Sequence, residues 1–562
     1  LLADSYAALP RHEVGRVSEL LQAQLLQPLN VTPIQPRLAE SNLLLAGGGG
    51  PGSPSFNELN PLFERDHVVA QLGAFGGDRS TGGFEPIVAG VYRNLSFSAG
   101  YTRFQTDGFR VNSDQKDDIY NAFVQAELTS ETSVQAEYRR REVEQGYLQS
   151  QFFPDLIHPN SRQQWDQDTY RLGARHAFSP GSIVLASAMY QRKSFDARDR
   201  NIDPVLQAFD LRQPHEAGSG EVQHLLRSRW VDVVSGAGFF RVTGTDVVSQ
   251  TLALPPPPSG PGTITSTQDV DRGVRHGNAY AYAHLHLVES LQVTVGASAD
   301  RLRSVTEDDR DQLNPKVGVT WSPFAGTTLR ASVFRVLKRT LITDQTLEPT
   351  QVAGFNQFFD DVNGTRSWRY GLGADHKVSC NLFGGVEATR RDLAVPVQVA
   401  LQRSVGKRET SWSEYTARGY VFWTPRTWLA LRAEYSFERL DRVPVSDAIG
   451  ATVGVREANT HRVPLGVALF HRSGLGASAT ATYYSQRGSF GDSAPFTDGS
   501  DRFWLFDAGL SWRLPRRTGT IAVVATNALD TKFNLYENGI SNWNSTVQPA
   551  TAVFARVTLA GP

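Results

Sequence analysis

From about residue 67 to the C-terminus the chain repeats with a period of two, in arms too long for an ordinary soluble sheet. In 503-FWLFDAGLSWRL-514, Trp504, Phe506, Ala508, Leu510, Trp512 and Leu514 share one face, and Asp507, Gly509, Ser511 and Arg513 share the other. In 429-LALRAEYSF-437 the apolar Leu429, Leu431, Ala433, Tyr435 and Phe437 stand opposite Arg432, Glu434 and Ser436. The same holds for 291-LQVTVGASA-299 and 279-AYAYAHLHL-287. These arms run to about 9–14 residues, against about 5 or 6 for a soluble strand, and about 9–11 tilted residues cross a bilayer. Such a ribbon needs lipid on one side and water on the other. In hydrocarbon every backbone N–H and C=O must be paired within the protein, so the sheet has to close on itself.

The connections support closure. Tight turns are expected at Arg93-Asn94, Thr129-Ser130-Glu131, Ser179-Pro180-Gly181, near Trp230-Val231, and at Glu289-Ser290, Ser322-Pro323, Ser379-Cys380, Thr424-Pro425, Arg472-Ser473-Gly474 and Pro515-Arg516. Between them lie mostly long polar connections such as 245–274, 340–364, 440–459 and 533–550. Alternation of short and long connections puts all tight turns at one end of a cylinder, as in outer-membrane barrels with short periplasmic turns. Counting arms gives about 22. The predicted fold is therefore all-β: a transmembrane antiparallel up-and-down β-barrel of about 22 strands over 67–562, preceded by a short helical segment and a linker.

Residues 1–30 read as a helical remnant of a periplasmic region, with Val14, Val17, Leu21 and Leu25 on one face and Pro28 and Asn30 closing it. Residues 31–66, rich in Pro and Gly, read as a linker and a candidate to enter the lumen. The chain opens Leu-Leu with no initiator Met or signal peptide, which predicts a processed or truncated piece.

Composition narrows the function classes. Lys plus Arg (56) and Asp plus Glu (57) nearly cancel, so no field draws the chain to nucleic acid. One cysteine, Cys380, excludes a disulfide framework. No apolar run reaches the length of a membrane helix, which leaves barrel strands untouched. HEXXH, CxxC, Walker and EF-hand patterns are absent, as is a Gly-x-Ser-x-Gly elbow; no catalytic residues, enzyme activity or cofactor are predicted. His284 and His286, two apart on one face, have the spacing of a metal pair but no third ligand, and ordinary lumen polarity is the simpler reading. Arg330, Arg432, Glu434, Asp507, Arg513 and Arg556 are the candidate lumen-facing charges, either an ion-pair network stiffening a wet wall or the lining of a transport path. Trp230, Trp321, Trp423, Trp428 and Trp512 lie near tight turns and are candidates for an interfacial girdle in contact with outer-membrane lipids.

The segment LNPKVGVTWSPFAGTTLRASVFRV resembles the mid-barrel hairpin of TonB-dependent outer-membrane receptors, with 347-LEPT-350 where that family often carries Leu-x-Pro-Glu. The stretches 526-TNALDTKFNLYENGI-540 and 551-TAVFARVTL-559 are similar to its last two strands. The resemblance implies a 22-stranded barrel in the outer membrane of a Gram-negative bacterium, moving a solute with a periplasmic energy-coupling partner. It also implies a folded N-terminal plug, which the residues before the barrel do not supply, and a Glu where Thr350 stands. The chain ends Ala560-Gly561-Pro562 where outer-membrane proteins usually carry a terminal aromatic. Three alternatives stay open. One is a plug-less export conduit or pore for a polysaccharide or protein, coupled to tetratricopeptide-like periplasmic helices. Another is a barrel-anchored surface adhesin or structural protein. The last is a soluble β-propeller, since hairpins recur roughly every 45 residues.

Overall fold

The computed structural model describes residues 13–30, 66–155, 157–202, 204, 206–253, 262–305, 309–401, 404–443, 448–449, 454–491, 496–537 and 550–561. The linker expected at 31–66 lies outside the described residues except for Asp66. Among the described residues one sheet contains 23 strands. One of them, Ala448–Ile449, adds to the outer edge of its neighbour at Gln398 and Val399. The others form a closed antiparallel wall of 22 strands. Closure is explicit in the register: the first strand, His67–Gly77, pairs with the last, Ala552–Gly561, from Ala70↔Gly561 to Gly77↔Phe554. The main wall thus has no open seam across the span, which is the condition hydrocarbon imposes.

Side chains sort as the alternation requires. In Arg310–Trp321, Gln312, Asn314 and Lys316 are buried within the cylinder, while Leu313, Val317 and Trp321 are exposed outside it. The apolar–polar alternation of Thr327–Leu337 slips at Phe334-Arg335 without a bulge. The ladder continues through Lys316↔Phe334 and Arg335↔Trp368 to Leu337↔Arg366. Phe334 is fully buried on the inner face because the lumen there is packed with protein, so an apolar residue is favoured where water was expected.

Strand lengths also depart from expectation. Much of the expected 245–274 connection is strand: Val231–Ala253 and Thr263–Val288 pair continuously from Val231↔Leu285 to Ala253↔Thr263. These two and Leu206–Arg227, strands of 22, 23 and 26 residues in chain order, cross the wall and continue past the membrane span as a tall flap. Its Thr and Ser pairs, Ser249 with Thr267 (2.6 Å) and Thr251 with Thr265 (2.9 Å), suit a solvated sheet. Near Thr424-Pro425 the strand continues to Arg426 after a register shift, so the turn falls at Thr427 and Trp428.

Depth along the wall predicts tolerance. Leu372 is 66% exposed on the outer face and seven residues from its tight turn, whereas Leu431 is three residues from the Trp428 turn. Leu372→Arg should cost about 2–4 kcal/mol of folding free energy in bilayers and Leu431→Arg about 1 kcal/mol. Folding titrations in vesicles measure both; equal costs would contradict the assigned depths.

Candidate functional site

The helix at the N-terminal side spans Glu13–Leu26 and lies inside the cylinder. The expected face, Val14, Val17, Leu21 and Leu25, is at most 1% exposed. Leu21 and Leu25 pack on Leu185 of the wall and on Leu347, and Val14 packs with Tyr280, Tyr282, Phe334, Val352 and Phe355. Gly173 admits the helix: a Cβ there would meet Leu25 Cδ2 at 2.6 Å. At its turn-side end Asn30 bonds Gln125 (2.6 Å), and Gln24 accepts from Arg171 (2.8 Å). A helix of about four turns is marginal alone in water, and burial of this apolar face inside the barrel supplies the missing stabilisation.

The external connection 338–365 folds down to meet it. This segment carries Leu341, Ile342, Leu347, Val352, Phe355, Phe358 and Phe359, too much apolar surface to remain in solvent. Its tip is a two-residue hairpin, Gln351–Val352 against Phe355–Asn356, turned by Ala353 (φ 48°) and Gly354 (φ 82°). Both central residues have positive φ, as such tight hairpins require. Gly354 is needed twice over, since a Cβ would come within 2.6 Å of Arg330 Nη1.

Helix and loop are joined side chain to backbone. Gln22 donates to the carbonyls of Thr346 and Glu348 (both 3.2 Å), and Ser18 accepts from the Thr346 N–H (3.2 Å). Thr350 and Gln351 donate to the Glu19 carboxylate at 2.7 and 2.9 Å. Thr350, which stands where the related motif has Glu, thus rests on a carboxylate supplied by the helix.

The loop is latched to the wall by buried charge. Glu348 accepts from Arg339 and from the Tyr282 hydroxyl, and Lys316 Nζ lies 3.8 Å away. Lys316 also donates to Gln357 (2.7 Å). Asp300 accepts from Asn314 (2.6 Å), pairs with His276 (2.9 Å), and lies 3.8 Å from Arg339. Glu221 receives Thr346 Oγ1 (2.6 Å) and the Leu347 N–H (3.1 Å). Burial opposes the charge on Arg339, and the Glu348, Asp300 and Glu221 carboxylates outweigh it, holding the guanidinium's pKa above its ordinary value. Removing one member would strand the others without water.

Other external segments fold inward too. Phe152 stacks on Phe490 (centroids 4.2 Å apart) beside Tyr536, and Phe533 stacks on Phe503 (4.4 Å). Above them the inner wall carries Trp165 between Arg141 (5.8 Å) and Lys193 (5.9 Å).

The residues singled out from sequence are scattered around the wall. Arg330 pairs with Asp375 (3.0 Å) and Glu387 (3.2 Å) and covers Phe355 (5.1 Å), so it touches the latched loop. Arg432 bonds Thr480 (3.2 Å), Glu434 lies 3.9 Å from Arg418, and Asp507 accepts from the Asn527 N–H (2.9 Å). Arg556 pairs with Glu85 (2.9 Å) at the closing seam, and Arg513 sits by the Gly474 turn. Trp230, Trp321, Trp423, Trp428 and Trp512 are all exposed, from 41% to 64%, near the tight turns. His284 bonds Thr294 (3.0 Å) and His286 bonds Asp232 (3.2 Å), and among the described residues no third ligand joins them. The latch residues Lys316, Arg339 and Glu348 were not singled out. The available signal was the apolar content of 338–365, which is incompatible with a free external loop.

A closed 22-strand wall with tight turns at one end, an apolar outer face and a filled polar lumen defines an outer-membrane β-barrel. The chain belongs to the TonB dependent receptor-like β-barrel family, whose model matches residues 66–528. Comparison with curated protein sequences finds no match. Solved structures share the fold at low identity. Pseudomonas aeruginosa FpvA, bound to a heterologous pyoverdine, aligns at 10% identity over 88% of this chain and 72% of its own, with a TM-score of 0.65. The copper transporter OprC aligns at 12% over 89% and 81%, with 0.67. The iron transporter FrpB from Neisseria meningitidis aligns at 10% over 89% and 82%, with 0.65.

Proposed function

We propose that this barrel imports a solute across the outer membrane, that the solute is a metal ion or metal chelate, and that import requires the lumen contents to move. The carrying observation is the pairing of the helix Glu13–Leu26 with the external loop 338–365 inside the closed wall. A static pore has no use for an occluding assembly held by its own buried charge cluster, whereas a gated importer needs one that is stable at rest. The metal reading draws on the pyoverdine-, copper- and iron-related neighbours of the fold. Energy would come from a periplasmic coupling partner of the TonB kind acting on the N-terminal side, which is continuous with the buried helix. An export conduit that recruits partners with this helix is disfavoured, because its apolar face is already spent inside the wall.

Reconstitution tests the reading. In planar bilayers the protein should show little steady conductance, and in cells it should accumulate a ferric chelate or copper only with the membrane energised. A large unforced conductance, or surface binding with no accumulation, would overturn gated import.

A further inference from the structure

We infer that the outer face of strands Arg162–Ser179, Ser182–Arg200 and Leu206–Arg227 carries a binding site for an anionic phospholipid of the periplasmic leaflet, engaged by protonated His176 and His224. Both histidines point outward: His176 alternates with buried Arg171 and Ala177 positions on its strand, and His224 with buried Glu221 and Gln223. In the ladder Val184 is opposite His176 on one side and opposite His224 on the other. The two rings therefore flank one valine, two strand spacings or about 10 Å apart.

Each is held through one ring nitrogen, Nδ1 in His176 and Nε2 in His224. One ring nitrogen of His176 bonds Thr132 Oγ1 (2.8 Å), and one of His224 bonds Ser182 Oγ (2.9 Å). The second nitrogen, Nε2 of His176 and Nδ1 of His224, has no hydrogen-bond partner among the described residues. The level is that of the headgroups, three or four residues from the turns at Pro180 and Ser228–Trp230, beside exposed Phe178 and Trp230. Further into the membrane the relief changes. Leu172 (63% exposed) and Val222 (52%) stand as ridges on either side of Ala186, Ala188 and Gly220, and a Cβ at Gly220 would meet nothing within 4 Å. A phosphate between the rings would place an acyl chain in that trough.

Charge complementarity selects the occupant. The remaining ladder partners of the histidines, Thr132 and Ser235, are neutral, as is Val184. Glu131, in the turn before, places a carboxylate beside His176. Arg229 stacks on Trp230 (4.9 Å) in the following turn and adds positive charge. Arg175, whose guanidinium donates to the Glu131 carbonyl (3.2 Å), lies on the opposite parity of its strand. Histidine is the side chain that changes charge between about pH 5 and 8, so the site should fill as the periplasmic side acidifies.

Native mass spectrometry of the detergent-solubilised protein with phosphatidylglycerol or phosphatidylcholine tests this. Phosphatidylglycerol should be retained more than fivefold better at pH 5.5 than at pH 7.5, since each of the two cationic contacts with an anionic headgroup contributes about 1 kcal/mol, with no pH response for phosphatidylcholine. His176→Gln/His224→Gln should flatten the response. Val184→Lys, which places a permanent charge between the rings and is easily tolerated at an interface, should hold retention high at both pH values. An undiminished pH response in the double glutamine variant, or none in the parent, refutes the site.

Discussion

Replacing Glu348 with alanine is expected to unseat the 338–365 loop while leaving the barrel wall folded. Glu348 is 1% exposed and receives Arg339, Tyr282 and, at 3.8 Å, Lys316. Its loss leaves two buried cations with Asp300, still shared with His276 and Asn314, and Glu221, already engaged by Thr346 and the Leu347 N–H. Breaking a buried ion cluster by removing one partner costs about 3–5 kcal/mol. The wall ladders do not depend on this carboxylate, so the cost falls on the docking of the loop. The loop should leave the lumen, raising bilayer conductance and exposing 338–365 to added protease. Arg339→Met/Glu348→Leu, which removes opposite charges together and keeps apolar volume, should recover much of the docking. Equal conductance in the parent, the single and the double variant would remove Glu348 from the gate.

Cutting the helix's apolar contacts should act on the same loop from the other side. Leu21 and Leu25 are each 1% exposed, and they share a cluster with Leu185 of the wall and Leu347 of the loop. Truncating a buried leucine to alanine costs about 2–5 kcal/mol, according to how far the cavity collapses. Leu21→Ala/Leu25→Ala should therefore release the helix, and with it the bonds from Gln22 to the carbonyls of Thr346 and Glu348. Hydrogen exchange should rise in 13–26 and, by loss of those contacts, in 344–351, with the wall strands unchanged. If exchange rises only in the helix, the two pieces do not move together. Coupled exposure would mean that force on the N-terminal side reaches an external loop through the lumen.

Much of the wall was legible in the sequence. A period of two is a backbone property, so Val317 and Lys316, or Trp504 and Asp507, take opposite faces in any paired strand. The tight turns were legible for the same reason: a polar or Pro/Gly break between two alternating runs leaves few other ways to reverse the chain. The 245–274 segment misled because Thr, Ser and Asp in a solvated hairpin have the composition of a loop. Ala448–Ile449 was likewise hidden, since two residues carry no periodicity.

The lumen was harder to read. Arg330 was visible as an inward charge, but its reach to Phe355 depends on a loop entering from the far end. Val14, Val17, Leu21 and Leu25 were a recognisable apolar face, and a face of that kind names no partner.

By itself the sequence determined the closed wall, its facing and its membrane, because alternation and the obligation to pair every backbone group in hydrocarbon act residue by residue along the chain. Only the tertiary structure decided what fills the tube. Ser18 meets Thr346, and Glu348 meets Tyr282, across separations that no local pattern encodes, and a polar inner surface accepts water, a helix or a folded loop equally well until one of them is seen in place.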